Sequence, residues 1–161
     1  MNIGITGHQT LRGRIILEWL KNELERDIKE MKDVRFANSS LAIGADQLFA
    51  KTILQMKIDL IAVIPSMHYE ETFKGRHKTS YFSLLSRCKL IERLDFTEPS
   101  EIAFLTAGKY VVDKSDVLFA IWDGDKAKGL GGTGDVVEYA LSLKKTIIHL
   151  NPLSMIKTIY N

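Results

Sequence analysis

Short apolar runs alternate with longer amphipathic stretches along the whole chain. Ile3-Gly4-Ile5-Thr6 reads as a first strand that stops at Gly7, and Ser40-Leu41-Ala42-Ile43 as a second that stops at Gly44. A third strand, Ile58–Ile64, ends at Pro65 and is apolar almost throughout, the pattern of a strand buried on both faces in a parallel sheet. Leu90–Leu94, Val117–Trp122 and Thr146–Leu150 complete the set. Between them, residues from about Thr10 to Lys32 place Leu11, Ile15, Ile16, Trp19, Leu20, Leu24 and Ile28 at helical spacing. Further helices are predicted through Leu48, Ile53 and Leu54, over Glu101–Lys114, and near Asp135–Leu143. This alternation predicts an α/β fold: a parallel sheet of about five to six strands flanked by helices on both faces.

The chain has 161 residues, a length that suits a single domain over residues 1–161. With 22 basic and 20 acidic residues it carries a net charge of +2, which argues against a nucleic-acid partner. No stretch approaches the ~18 apolar residues of a membrane helix, and the N-terminus has no basic lead, so no membrane contact and a cytoplasmic location are expected. Cys88 is the sole cysteine, which excludes a disulfide framework and a multi-cysteine metal site. His68 and His77 form no ligand spacing with another histidine or with Cys88, so no metal is expected. No cofactor is expected either.

In a parallel sheet all strands end on one edge, and ligands bind beyond those ends. Three strands run into unusual loops: Thr6-Gly7-His8-Gln9, Gly44-Ala45-Asp46-Gln47, and Trp122-Asp123-Gly124 followed by Gly129-Leu130-Gly131-Gly132-Thr133-Gly134-Asp135. Glycine at such a turn admits positive φ and close approach, and the next helix offers free N–H groups to a phosphate. Gly129, Gly131 and Gly134 satisfy G-x-G-x-x-G, but this motif sits late in the chain and no acidic residue follows Glu138, so the dinucleotide fingerprint fails. The Walker pattern fails too, because Asp135 stands where lysine is required.

Gly131-Gly132-Thr133-Gly134-Asp135-Val136-Val137-Glu138 resembles the phosphate-binding and catalytic motif of the lonely-guy phosphoribohydrolases and of the wider SLOG superfamily, which includes DNA-processing A proteins. The resemblance extends to Gly4–His8, to Ala42–Gln47, and to Ser115-Asp116 before an apolar strand. It implies a Rossmann-like nucleotide-binding fold, a homodimer, and in the enzymes hydrolysis of the N-glycosidic bond of nucleoside 5′-monophosphates. Glu138 is then the catalytic candidate: it is expected on the first turn of its helix, facing the phosphate, while its alternative role is a favourable acid near a helix start. The chain departs from the enzymes at Ala107 and Gly108, which stand where they carry an Arg-Lys pair, and in an insertion over Asp123–Gly129. Asp135 replaces their threonine, a negative charge that suits a phosphate site only if hydrogen-bonded or facing a sugar.

The expected partner is a nucleotide-like small molecule. The binding residues are Gly7, His8, Gln9, Gly44, Ala45, Asp46, Gln47, Asp123, Gly131, Gly132, Thr133, Gly134 and Asp135. His8 alternates between ligand contact and helix capping, Asp46 and Gln47 between ribose or base contact and capping, and Trp122 between base stacking and core packing. His149 and Cys88 read as core residues. The irregular stretch Ser66–Cys88 is either a mobile flap or a helical excursion on the sheet edge.

Overall fold

The computed structural model describes residues 1–126 and 129–161. One sheet contains β1 (Asn2–Gly7), β2 (Phe36–Ser39), β3 (Asp59–Ile64), β4 (Leu90–Arg93), β5 (Val117–Ile121), β6 (Thr146–Asn151) and β7 (Ile156–Tyr160) in the order β4-β3-β2-β1-β5-β6-β7. All pairings are parallel except β6 with β7. The helices are α1 (Arg14–Glu30), α2 (Ala45–Gln55), α3 (Gly75–Leu85), α4 (Glu101–Asp113) and α5 (Thr133–Ser142), with a short 3-10 helix at Tyr69–Thr72.

Two apolar layers sandwich the sheet. Leu20, Leu24 and Ile28 of α1, Phe49 and Ile53 of α2, and Tyr81 and Leu84 of α3 cover one face. Ala107, Val111 and Val112 of α4, with Val136, Val137 and Ala140 of α5, cover the other. The chain therefore leaves β1 toward one face and β5 toward the opposite one, although the two strands are neighbours. That reversal opens a crevice above their carboxyl ends.

The sheet has seven strands rather than five or six, and two departures have clear causes. The second strand lies four residues earlier than the apolar run Ser40–Ile43 suggests. Phe36-Ala37-Asn38-Ser39 pairs with both β1 and β3, and buried Asn38 satisfies its amide on the Ile3 carbonyl and the Ser115 hydroxyl. Leu41 instead adopts a φ of 57° and packs in the core as part of a loop. The seventh strand, β7, is an antiparallel edge whose mostly exposed residues give no apolar run. Lys157 anchors it to α1, with Nζ 2.6 Å from Asp27 and 3.6 Å from Glu23, two carboxylates that are almost wholly buried. The stretch Ser66–Cys88 is the helical excursion, built from the 3-10 helix and α3, and it buries Tyr69, Phe73 and Tyr81.

Lys157→Met removes the nearer cation of buried Asp27, leaving, among the described residues, only Arg26 at 4.0 Å, and should cost about 2–4 kcal/mol in urea unfolding. A loss below about 0.5 kcal/mol would show that β7 is held by its ladder alone.

Candidate functional site

Above the ends of β1 and β5 lies a cavity of about 740 Å³. Its lining comes from the loop after β1 (Gly7 to Thr10), the loop after β2 (Ser40, Ala42, Ile43 and Asp46), and the loop after β5 (Trp122, Asp123, Asp125 and Lys126). The start of α5 adds Gly131, Gly132, Thr133, Gly134 and Val136, while Phe104 and Gly108 enter from α4. Pro65, Tyr69, Thr72 and Phe73 close the end above β3.

Nine of the residues singled out in the sequence meet here: Gly7, His8, Gln9, Asp46, Asp123, Gly131, Gly132, Thr133 and Gly134. Gly44, Ala45, Gln47, Asp135 and Glu138 do not line it. Gly44 takes a φ of 86°, and a Cβ there would overlap the carbonyl oxygens of His8 and Gln9. Its lack of a side chain lets the Ala45 amide donate to the His8 carbonyl at 3.0 Å, which fixes the β1 loop against α2. Gln47 is buried and donates to the Leu41 carbonyl at 3.2 Å, holding the β2 loop. Asp135 accepts the Gly131 amide at 2.9 Å, so its negative charge is tied into the glycine loop. Gly131 itself has a φ of 83° and abuts the backbone of Glu101 and Leu105, so a side chain would not fit.

Glu138 departs from its expected placement. The helix begins at Thr133, so Glu138 is its sixth residue and lies in the second turn. Val136 lines the cavity, and two residues further on is about 200° around a helix; Glu138 accordingly projects into solvent. At the Ala107-Gly108 pair, Ala107 is buried in the core, and a Cβ on Gly108 would come within 2.5 Å of Val136. Of the insertion over Asp123–Gly129, Ala127 and Lys128 lie outside the described residues.

Electrostatically the cavity combines one buried acid with a helix start. Asp46 Oδ2 accepts from the Ser39 hydroxyl at 3.0 Å and the Ser40 amide at 2.9 Å. Burial outweighs these bonds and pushes the carboxyl up from 3.8 to about 6. His8 Nε2 bridges to β5, lying 3.1 Å from both the amide nitrogen and Oδ2 of Asp123. Partial burial opposes ionisation of Asp123, but bonds from the Asp125 amide and His8 hold its carboxyl below the ordinary value. Among the described residues, the Thr133 and Gly134 amides have no acceptor. Both residues line the cavity at the start of α5, and unpaired amides at a helix start are favourable to an anion. Trp122 donates its indole N–H to the Asp125 carbonyl at 2.7 Å and packs on His149 at 5.3 Å.

Away from the cavity, His149 donates from Nε2 to the Trp122 carbonyl, 2.7 Å away. Cys88 is partly buried, and burial raises its thiol to about 11. His68 pairs with Glu71 at 3.6 Å. Among the described residues there is no cluster of three or more His, Cys, Asp or Glu placed to hold a metal, and no helix long and apolar enough to cross a membrane. Sequence reasoning missed Tyr69, Phe73 and Phe104 as site residues, because each reaches the cavity from a segment that carries no glycine turn.

No protein-family model matches this sequence, and no curated protein matches it. Solved structures do. DNA processing protein A from Streptococcus pneumoniae superposes with a TM-score of 0.65 at 14% identity, covering 95% of this chain and 53% of the other. DNA processing protein A from Helicobacter pylori gives 0.67 at 16%, covering 94% and 65%. The structural-genomics target TM1055 gives 0.56 at 12%, covering 93% and 74%. The fold is the one these structures share. The chain spans about half to two-thirds of the length of the two DNA processing proteins. The Helicobacter pylori protein is described by a single-stranded DNA binding mode. This overturns the expectation that nucleic acid is no partner. Net charge is a sum over the whole chain, and it does not register anion sites made of backbone amides at a helix start.

Unfolded, Asp46 loses its proton above about 3.8, whereas folded it keeps it to about 6. Folding therefore weakens as pH rises through this window, by about 3 kcal/mol once complete. Asp46→Asn retains an acceptor for Ser39 and Ser40, so its stability advantage over the parent should grow by about 2–3 kcal/mol from pH 4 to pH 8 in urea unfolding. A constant difference across that range would refute the assignment.

Proposed function

We propose that this chain binds a nucleotide or another phosphoribosyl-containing small molecule in the switch-point cavity, acting as a binding or sensing module. The observation that carries this reading is the convergence of three strand-to-helix loops and the α5 N-terminus on one cavity of about 740 Å³. That volume falls in the range of small-ligand sites. The phosphate lies against the Thr133 and Gly134 amides, with Lys126 the basic side chain beside it. His8 and Asp123, already held to one another across β1 and β5, flank the sugar.

Two other readings follow from specific observations. The likeness to the Helicobacter pylori protein supports single-stranded DNA as an alternative occupant, one nucleotide of the strand taking the same cavity. Cleavage of an N-glycosidic bond in nucleoside 5′-monophosphates requires a carboxylate beside the anomeric carbon. Glu138 is exposed and outside the lining, and Ala107 and Gly108 leave an apolar floor where the phosphoribohydrolases carry charge. Binding without turnover is the better fit.

Thr133→Asp places a carboxylate where the phosphate is proposed to sit, while an acid at a helix start favours the helix. It should lower affinity for ribose 5-phosphate at least tenfold in calorimetric titration, with the unfolding midpoint unchanged or raised. Glu138→Ala should leave that affinity within twofold of the parent. An unchanged affinity in Thr133→Asp would remove the phosphate from α5. Affinity for oligonucleotides that exceeds that for mononucleotides and falls steeply with salt would establish the DNA reading.

A further inference from the structure

The far end of the cavity differs in kind from its glycine-lined end. Tyr69, Phe73 and Tyr81 form a rigid aromatic cluster. Tyr69 meets Phe73 edge-on at 5.1 Å and Tyr81 at 5.7 Å, and Phe73 stacks on Tyr81 at 4.5 Å. Phe104 joins from α4, 6.1 Å from Tyr69, and is the least buried of the three rings that line this end of the cavity. Tyr69 is 4% exposed, yet its hydroxyl has no hydrogen-bond partner among the described residues, while the side chain lines the cavity. Asp46 lines the same end and is close enough for its charge to act on Tyr69. An aromatic face, an uncommitted hydroxyl donor and a carboxylate acceptor thus stand together at this end of the cavity.

The spacing also suits a nucleoside phosphate. The strands β3, β2, β1 and β5 are consecutive in the sheet. Three inter-strand steps of about 4.8 Å separate the aromatic end above β3 from the β5 side, about 14 Å in all. A free phosphate or a sugar phosphate fills only part of that length. A base, ribose and phosphate laid end to end fill it.

We propose that Phe104, Tyr69 and Asp46 form a base-recognition subsite, so that the ligand is a nucleoside 5′-phosphate rather than a sugar phosphate or free phosphate. The base stacks on Phe104, accepts a hydrogen bond from the Tyr69 hydroxyl and donates one to the Asp46 carboxylate. This rests on the nucleotide reading above.

Calorimetric titration of the full chain with inorganic phosphate, ribose 5-phosphate and the four common nucleoside 5′-monophosphates tests it. At least one monophosphate should bind about tenfold tighter than ribose 5-phosphate, the increment that stacking on one aromatic ring provides. Tyr69→Phe, which removes one oxygen from a packed ring, and Phe104→Leu should each reduce that increment about fivefold or more. Both should leave ribose 5-phosphate within twofold of the parent. If ribose 5-phosphate binds and no base adds affinity, or if the variants weaken both ligands equally, the subsite is wrong while the phosphate site stands. If none of the probes binds, both readings fall.

Discussion

The site depends on a backbone contact that no side chain interrupts. Gly44 lies against the carbonyl oxygens of His8 and Gln9, and the Ala45 amide donates to His8 across that gap. A Cβ at this point would push α2 away from the loop after β1 and separate the chain segments that form the cavity wall. With the contact made, the β1 loop is fixed on one side. His8 fixes it on the other by reaching Asp123 beyond β5. The crevice that the fold opens between β1 and β5 is thereby turned from a gap into a walled recess.

That recess deals with charge in two ways. At the α5 end the positive potential comes from unpaired amides and the aligned helix, so it adds nothing to the chain's formal charge. Asp135, in the first turn of α5, commits one carboxylate oxygen to the Gly131 amide. At the other end Asp46 is kept in a place where ionisation is costly despite its bonds to the Ser39 hydroxyl and the Ser40 amide. Acids whose ionisation is perturbed in this way concentrate at functional sites.

The sequence reveals what apolar patterning and glycine turns can encode. β3 and β5 are legible because strands buried on both faces must be apolar throughout. β2 is hidden because Asn38 and Ser39 are polar yet satisfied inside the sheet, while Leu41, Ala42 and Ile43 imitate a strand and form a loop instead. β7 is hidden because an edge strand needs only one partner and can remain exposed. The three loops that line the cavity are legible through their glycines. Tyr69 and Phe104 are not, since tertiary packing alone brings two segments more than 30 residues apart to the same wall. Glu138 falls outside its expected position because α5 begins at Thr133, which puts it in the second turn, and because Val136, Val137 and Ala140 turn inward, which leaves it on the solvent side.

The apolar floor explains why a motif shared with hydrolases need not bring hydrolysis with it. Gly108 lies where α4 and α5 approach most closely, and Val136 fills the space that any side chain there would occupy. A charged pair at residues 107 and 108 would therefore demand that two helices separate and the core beneath them open. A helix start that binds a phosphate requires no such charge; it requires only free amides at a cavity. Under the proposed reading, phosphate binding and charge-assisted bond cleavage are separable: close packing of α4 on α5 leaves the helix start free and removes the space for a charged pair at residues 107 and 108.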